Sequence, residues 1–131
     1  MIEIIYCQLA YAAAGALFNL ASWWRLKRGL KPFTATSPAK GMVSMLVVAL
    51  VTLSFPFAAG WIYRAGWIYL ILRIAPGGIH RHLKSLFVDK DLTHYASFGI
   101  GLAAASINIV GVTLGITGLI LSLFLIGAPL N

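Results

Sequence analysis

Small and compact polar residues recur along the last third of the chain at a fixed interval. Ser97, Gly101, Ala104, Asn108, Gly111, Gly115, Gly118 and Ser122 are separated by alternating steps of four and three residues, with mostly Ile, Leu, Val, Phe and Ala between them. On an α-helix this spacing forms a single stripe. Small side chains on an apolar rod let two helix backbones approach closely, the packing used where lipid is the solvent. The first apolar run has the same arrangement, with Gln8, Ala12, Gly15, Asn19 and Ser22 again in four-three steps. Both stripes are expected to be helix-packing interfaces.

The pattern predicts an all-α, polytopic transmembrane protein with about four hydrophobic segments in one integral membrane domain, residues 1–131. The spans are expected near 2–24, 40–60, 61–79 and 95–126, with basic cytoplasmic loops at 25–39 and 80–92. The run Ile2 to Trp24 is about long enough to cross a ~30 Å hydrocarbon core. Trp23 and Trp24 mark an interface just before Arg25, Lys27, Arg28 and Lys31, and the positive-inside tendency makes that end cytoplasmic. Ser37-Pro38 closes the polar linker with a helix-start signal. Pro56 removes a backbone donor and predicts a kink or an end near it.

A local duplication follows, Gly60-Trp61-Ile62-Tyr63-Arg64-Ala65 and then Gly66-Trp67-Ile68-Tyr69-Leu70-Ile71. A six-residue step rotates a helix by about 240°, so the copies do not share a face. They read as aromatic-belt composition, with Arg64 at an outer interface in cation–π reach of Trp61 and Trp67. The third segment is expected to end at Pro76-Gly77-Gly78. It is short for a span, but crossing brings His80, Arg81, His82 and Lys84 to the same side as the first basic loop. Leu83, Leu86 and Phe87 opposite Arg81, Lys84 and Ser85 predict a short amphipathic turn at the headgroups. Asp89 or Asp91 is then expected to cap a final helix from about Leu92 to Ile126. Its length would be about 50 Å, more than one core thickness. The stripe nevertheless passes Gly111 without a phase change, so one long helix is expected and not a hairpin. Both termini then lie outside.

Composition supports this environment. Hydrophobic residues make up 60% of the chain and charged residues 10%, against about 25% charged in a soluble domain. The net charge of +7 comes from ten Lys and Arg against Glu3, Asp89 and Asp91. Because the cations sit in gaps between apolar runs, they point to topology and anionic lipid headgroups, not to nucleic acid. Cys7 is the lone cysteine, which excludes an intrachain disulfide. Glu3 replaces the basic region of a signal peptide, so the first run is expected to be retained as a span.

Little in the chain points to catalysis. His80, His82 and His94 lie near the cytoplasmic boundary, and none sits at mid-span where a haem ligand is needed. Neither a metal site nor a nucleophilic triad can be assembled, so no cofactor and no enzymatic activity are expected. Arg73, with Tyr69 one turn earlier, is a possible intramembrane polar site, although an end at Pro76 would let it snorkel to the inner interface. Gln8, Asn19 and Asn108 are amides suited to interhelical hydrogen bonds. The leading expectation is a structural or accessory subunit of a larger inner-membrane complex, partnered by other subunits or by copies of itself. The alternative is a self-assembling channel or small transporter lined by the striped helices.

Overall fold

A computed structural model places residues 1–34, 37–56 and 60–124 of the protein. These residues are helical or lie in loops and turns, with no strand among them. The helices are α1 (Ile2–Lys27), α2 (Pro38–Leu53), α3 (Trp61–Ile74), α4 (Arg81–Leu83) and α5 (Phe98–Phe124). π-Helical turns at Ala75–His80 and Lys84–Val88 join α3 and α4 and extend them, so Trp61 to Val88 is one uninterrupted rod.

Local chemistry explains the boundaries. Glu3 lies in the first turn of α1 and Arg25 and Lys27 in its last, each matching the helix dipole. Gly29 adopts a left-handed φ of 69°, while the Gly29 and Leu30 amides donate to the Leu26 and Arg25 carbonyls. A residue without Cβ enters that conformation freely and ends the helix. Ser37 precedes Pro38, the first residue of α2. Gly60, with φ of 72°, stands before α3.

Four rods, α1, α2, α3 through Val88, and α5, pack around one axis with neighbours antiparallel. A Cβ on Gly15 would collide with Met45 and one on Gly41 with Asn19, which sets the register of α1 against α2. Gly66 lies against Val51 between α3 and α2. Gly118, Gly115 and Gly101 meet Tyr63, Trp67 and Leu86, and Gly78 meets Asn108, along the third rod and α5. Gly111 beneath the Tyr11 ring joins α5 to α1. One end of the bundle therefore carries the starts of α1 and α3 and the ends of α2 and α5. The other carries both basic loops, where the Lys31 charge acts on Asp91.

α5 turns a small-residue face to the interior and a large apolar face to the surface. α5 buries Gly101, Ala104, Ala105, Gly111, Gly115, Gly118 and Ser122. It exposes Leu102, Ile109, Val110, Ile116, Ile120, Leu121, Leu123 and Phe124. By length and composition, α1 and α5 can each cross a hydrocarbon core, whereas α2 is apolar but only 16 residues long.

Several details differ from the sequence expectation. The third segment does not end at Pro76-Gly77-Gly78. A proline in a helix removes one hydrogen bond and crowds the preceding turn, and the wider π-helical turn there accommodates it. α5 begins at Phe98, not near Leu92. Ser97, not an aspartate, starts it: its Oγ accepts from the Ile100 amide at 3.3 Å. Asp91 instead accepts from the Thr93 amide at 2.8 Å and from the Thr93 hydroxyl, contacts that hold its carboxyl below the usual carboxylate range. α5 continues unbroken through Gly111. α2 ends at Leu53, ahead of Pro56 and short of the expected bound at Gly60; the expected end at Ile126 lies outside the described residues.

Candidate functional site: a polar cleft

The stripes close half of the bundle and leave the other half open. In the closed half, Gln8 reaches across the axis, its amide 2.8 Å from the Tyr63 hydroxyl and donating at 3.0 Å to the Leu114 carbonyl. Gly118 sits beneath both side chains, and Trp67 covers Gly115. Tyr63, Trp67 and Gln8 are fully buried. Trp67 is therefore a core residue, not the interfacial residue expected from sequence. The burial of the duplicated aromatics inverts over the six-residue step. Trp61 and Tyr69 are 63% and 58% exposed, whereas Tyr63 and Trp67 are at zero.

In the half nearer the basic loops, α2 turns to α1 through Asn19 and Gly41, while the third rod turns to α5 through Gly78 and Asn108. α2 and α3 touch at Val51 and Gly66 and diverge beyond that contact. A cleft of about 410 Å³ lies between them. Val43, Ser44 and Val47 form one lip and Tyr69, Arg73 and Gly77 the other, and all six side positions are exposed. Behind them lie Asn19, Asn108, His82 and the small residues Gly15, Gly41, Gly78 and Ala104.

Continuity of the third rod changes the meaning of Arg73. It is not three residues from a helix end. Eight residues, about 12 Å of rise, separate it from Arg81, the first cation of the basic end. The chain's three acids are elsewhere: Glu3 in the first turn of α1, Asp89 3.7 Å from Lys84, and Asp91 bound to Thr93. Arg73 therefore has no carboxylate partner among the described residues. Its guanidinium offers five donors at the mouth of a site whose other polar groups include two amides and a phenol.

The amides of the two stripes differ in use. Gln8 is spent on Tyr63 and Leu114. Asn19 donates to the Gly15 carbonyl at 2.7 Å, in its own helix, and remains half-buried with its carbonyl against Gly41. Asn108 is half-buried against Gly78. Ala12, Gly15, Ser22, Gly101, Ala104, Gly111, Gly115, Gly118 and Ser122 are buried inside the chain itself, and Ser97 is an exposed cap.

The residues expected at a headgroup interface form their own cluster at the basic end. Lys27 lies over the Trp23 ring at 4.6 Å and Arg28 over Trp24 at 3.7 Å. Arg25 lies over Phe33 at 5.4 Å and donates to the Lys31 carbonyl. Ser22 Oγ accepts from the Phe33 amide at 2.9 Å, folding the loop back onto α1. Arg81 and Lys84 are exposed at the same end, and Trp61 and Arg64 stand at the opposite one. Sequence reasoning missed His82, which is buried with Nδ1 2.8 Å from the Tyr95 hydroxyl. The two-residue offset from His80 already required these histidines to face different ways. Nothing in the pattern identified Ser44 or Gly77 as lip residues.

No protein-family model, curated protein or solved structure matches the chain.

Proposed function

We propose that this is a multi-pass protein of a bacterial-type inner membrane, with all four rods crossing the bilayer and the basic loops on the cytoplasmic side. The observation that carries the proposal is the distribution over the helix faces: glycine, alanine and serine line the close helix contacts beneath a few buried aromatics, while many Leu, Ile, Val and Phe side chains are exposed. In water that arrangement would expose a very large apolar surface. In lipid it costs nothing, and small interior residues give close packing. The eight cations at or near the two basic loops support the orientation.

The working part of the molecule, in this proposal, is the cleft. Scaffolding by the small-residue stripes loses its basis because those stripes are occupied within the chain. The amphipathic lining, the solitary cation and the wide mouth favour a small channel- or carrier-type protein that admits a polar group between α2 and α3. Ionisable residues inside a span usually face such a cavity and carry function. The role assigned is binding and passage, without catalysis.

A second reading, an accessory subunit of a membrane complex, draws on a separate surface. A shallow groove between α1 and α5 is lined by Cys7, Ala10, Ala14 and Ser106 beside larger apolar residues, and small residues of this kind admit a neighbouring helix.

Single cysteines test the topology. In a Cys7→Ser background, Leu30→Cys and Ser85→Cys should both resist an impermeant thiol reagent in intact cells and react after permeabilisation. Reaction of Ser85→Cys alone in intact cells would contradict a crossing third rod.

A further inference from the structure

We propose that the cleft between α2 and α3 holds one anionic lipid, entering sideways from the bilayer, with its phosphate at Arg73. The inference rests on the membrane reading above.

Three observations support this assignment. First, Arg73 is a permanent cation with no carboxylate partner among the described residues, because Glu3, Asp89 and Asp91 are placed elsewhere. A charge at this depth is costly unless an anion or water meets it. A phosphodiester oxygen pair fits the planar guanidinium fork. Second, the mouth opens laterally. Its lips are side chains on the outer faces of α2 and α3, and Val43 is 61% exposed. A lipid already lies beside that mouth, whereas a soluble anion would have to enter through the hydrated part of the cleft nearer the basic end. Third, the lining is amphipathic in the required order. Arg73, Tyr69, Asn19, Ser44 and Asn108 supply polar groups, while Val43, Val47, Leu70 and Ile74 supply apolar wall for an acyl chain. The open space arises because Gly41 and Gly78 draw α2 and the third rod toward α1 and α5. Gly77 carries no neighbour within 4 Å of a would-be Cβ, so the lip beside Arg73 is unobstructed.

This site is distinct from the Trp23, Trp24, Lys27 and Arg28 cluster at the basic end. That cluster presents already engaged cations to the whole headgroup layer, whereas the cleft takes a single molecule.

Native mass spectrometry of the detergent-solubilised full chain, titrated with phosphatidylglycerol and with phosphatidylcholine, tests the proposal. The wild type should retain one phosphatidylglycerol at collision energies that strip phosphatidylcholine. Arg73→Gln should lower that retention about tenfold or more, the loss expected for a charge-assisted pair, and Arg73→Lys should restore part of it. Arg28→Gln, in the loop cluster, should leave it unchanged. Millimolar glycerol 3-phosphate should not displace the lipid. Displacement would make the occupant a soluble phosphate and overturn the lipid assignment. Equal retention by wild type and Arg73→Gln would overturn the site. Failure of the membrane reading is read separately, as failure of the chain to co-float with vesicles.

Discussion

The two halves of the bundle are built from the same repeating stripes yet end differently. Around Gln8, Tyr63, Trp67 and Gly118 the helices close on large aromatic side chains seated on glycine, and every polar atom of Gln8 has a partner inside the chain. Around Asn19, Asn108 and Arg73 the partners across the gap are small, and a cleft remains. A small-residue stripe specifies how closely two backbones approach. The size of the facing residue decides whether the space at the axis is filled. Tyr11, Tyr63 and Trp67 fill it in one half, whereas Gly15 and Ala104 line the cleft in the other.

The largest test of this contrast compares two glycine substitutions. Gly118→Leu should destabilise the bundle by about 3 kcal/mol or more, because the added side chain collides with Tyr63 and Gln8 in a packed interior. Gly77→Ala should be neutral or stabilising by about 0.5–1 kcal/mol, since a Cβ there meets nothing and alanine favours the helix. Thermal unfolding in detergent measures both. Similar losses for the two would erase the distinction between a closed and an open half.

A smaller effect sharpens the comparison at the edge of the cleft. Burial, aided by the neighbouring Arg81 charge, holds the His82 imidazole below its ordinary pKa of 6.5. The neutral ring can accept a hydrogen bond from the Tyr95 hydroxyl at Nδ1. The folded state thus binds a proton less readily than the unfolded chain. Its stabilising contribution is complete above pH 6.5 and is lost as pH falls from 6.5 through the lower folded value. The unfolding midpoint should drop by a few degrees between pH 7.5 and 5. His82→Gln should flatten that slope. An equal slope in both proteins would remove His82 from the account.

Periodicity made the rods legible, because a four-three step is a helix repeat wherever it occurs. It also located the buried face of α5, from Gly101 to Ser122. The six-residue duplication correctly separated Trp61 from Trp67 by face, but aromatic composition is the same for a core and a membrane interface, so Trp67 was placed outside. Pro76-Gly77-Gly78 read as a stop because those residues break a regular α-helix; a π-helical turn that accepts them leaves no mark in the pattern. That expectation puts Arg73 near a helix end, whereas it lies in the interior of a rod. The cleft was illegible for a related reason. It depends on which neighbour each helix leans toward at Gly41 and Gly78, and spacing along one chain says nothing about that.

The central claim is that a hydrated, polar-lined cleft lies between α2 and α3 in a bundle whose outer faces meet lipid. Spin labels on single cysteines test it most directly, in a Cys7→Ser background reconstituted into vesicles. A label at Ser44 should collide with an aqueous nickel reagent more than with oxygen, and a label at Ile116 should show the reverse. Oxygen-dominated collisions at both positions would contradict the cleft, and nickel-dominated collisions at both would contradict the membrane.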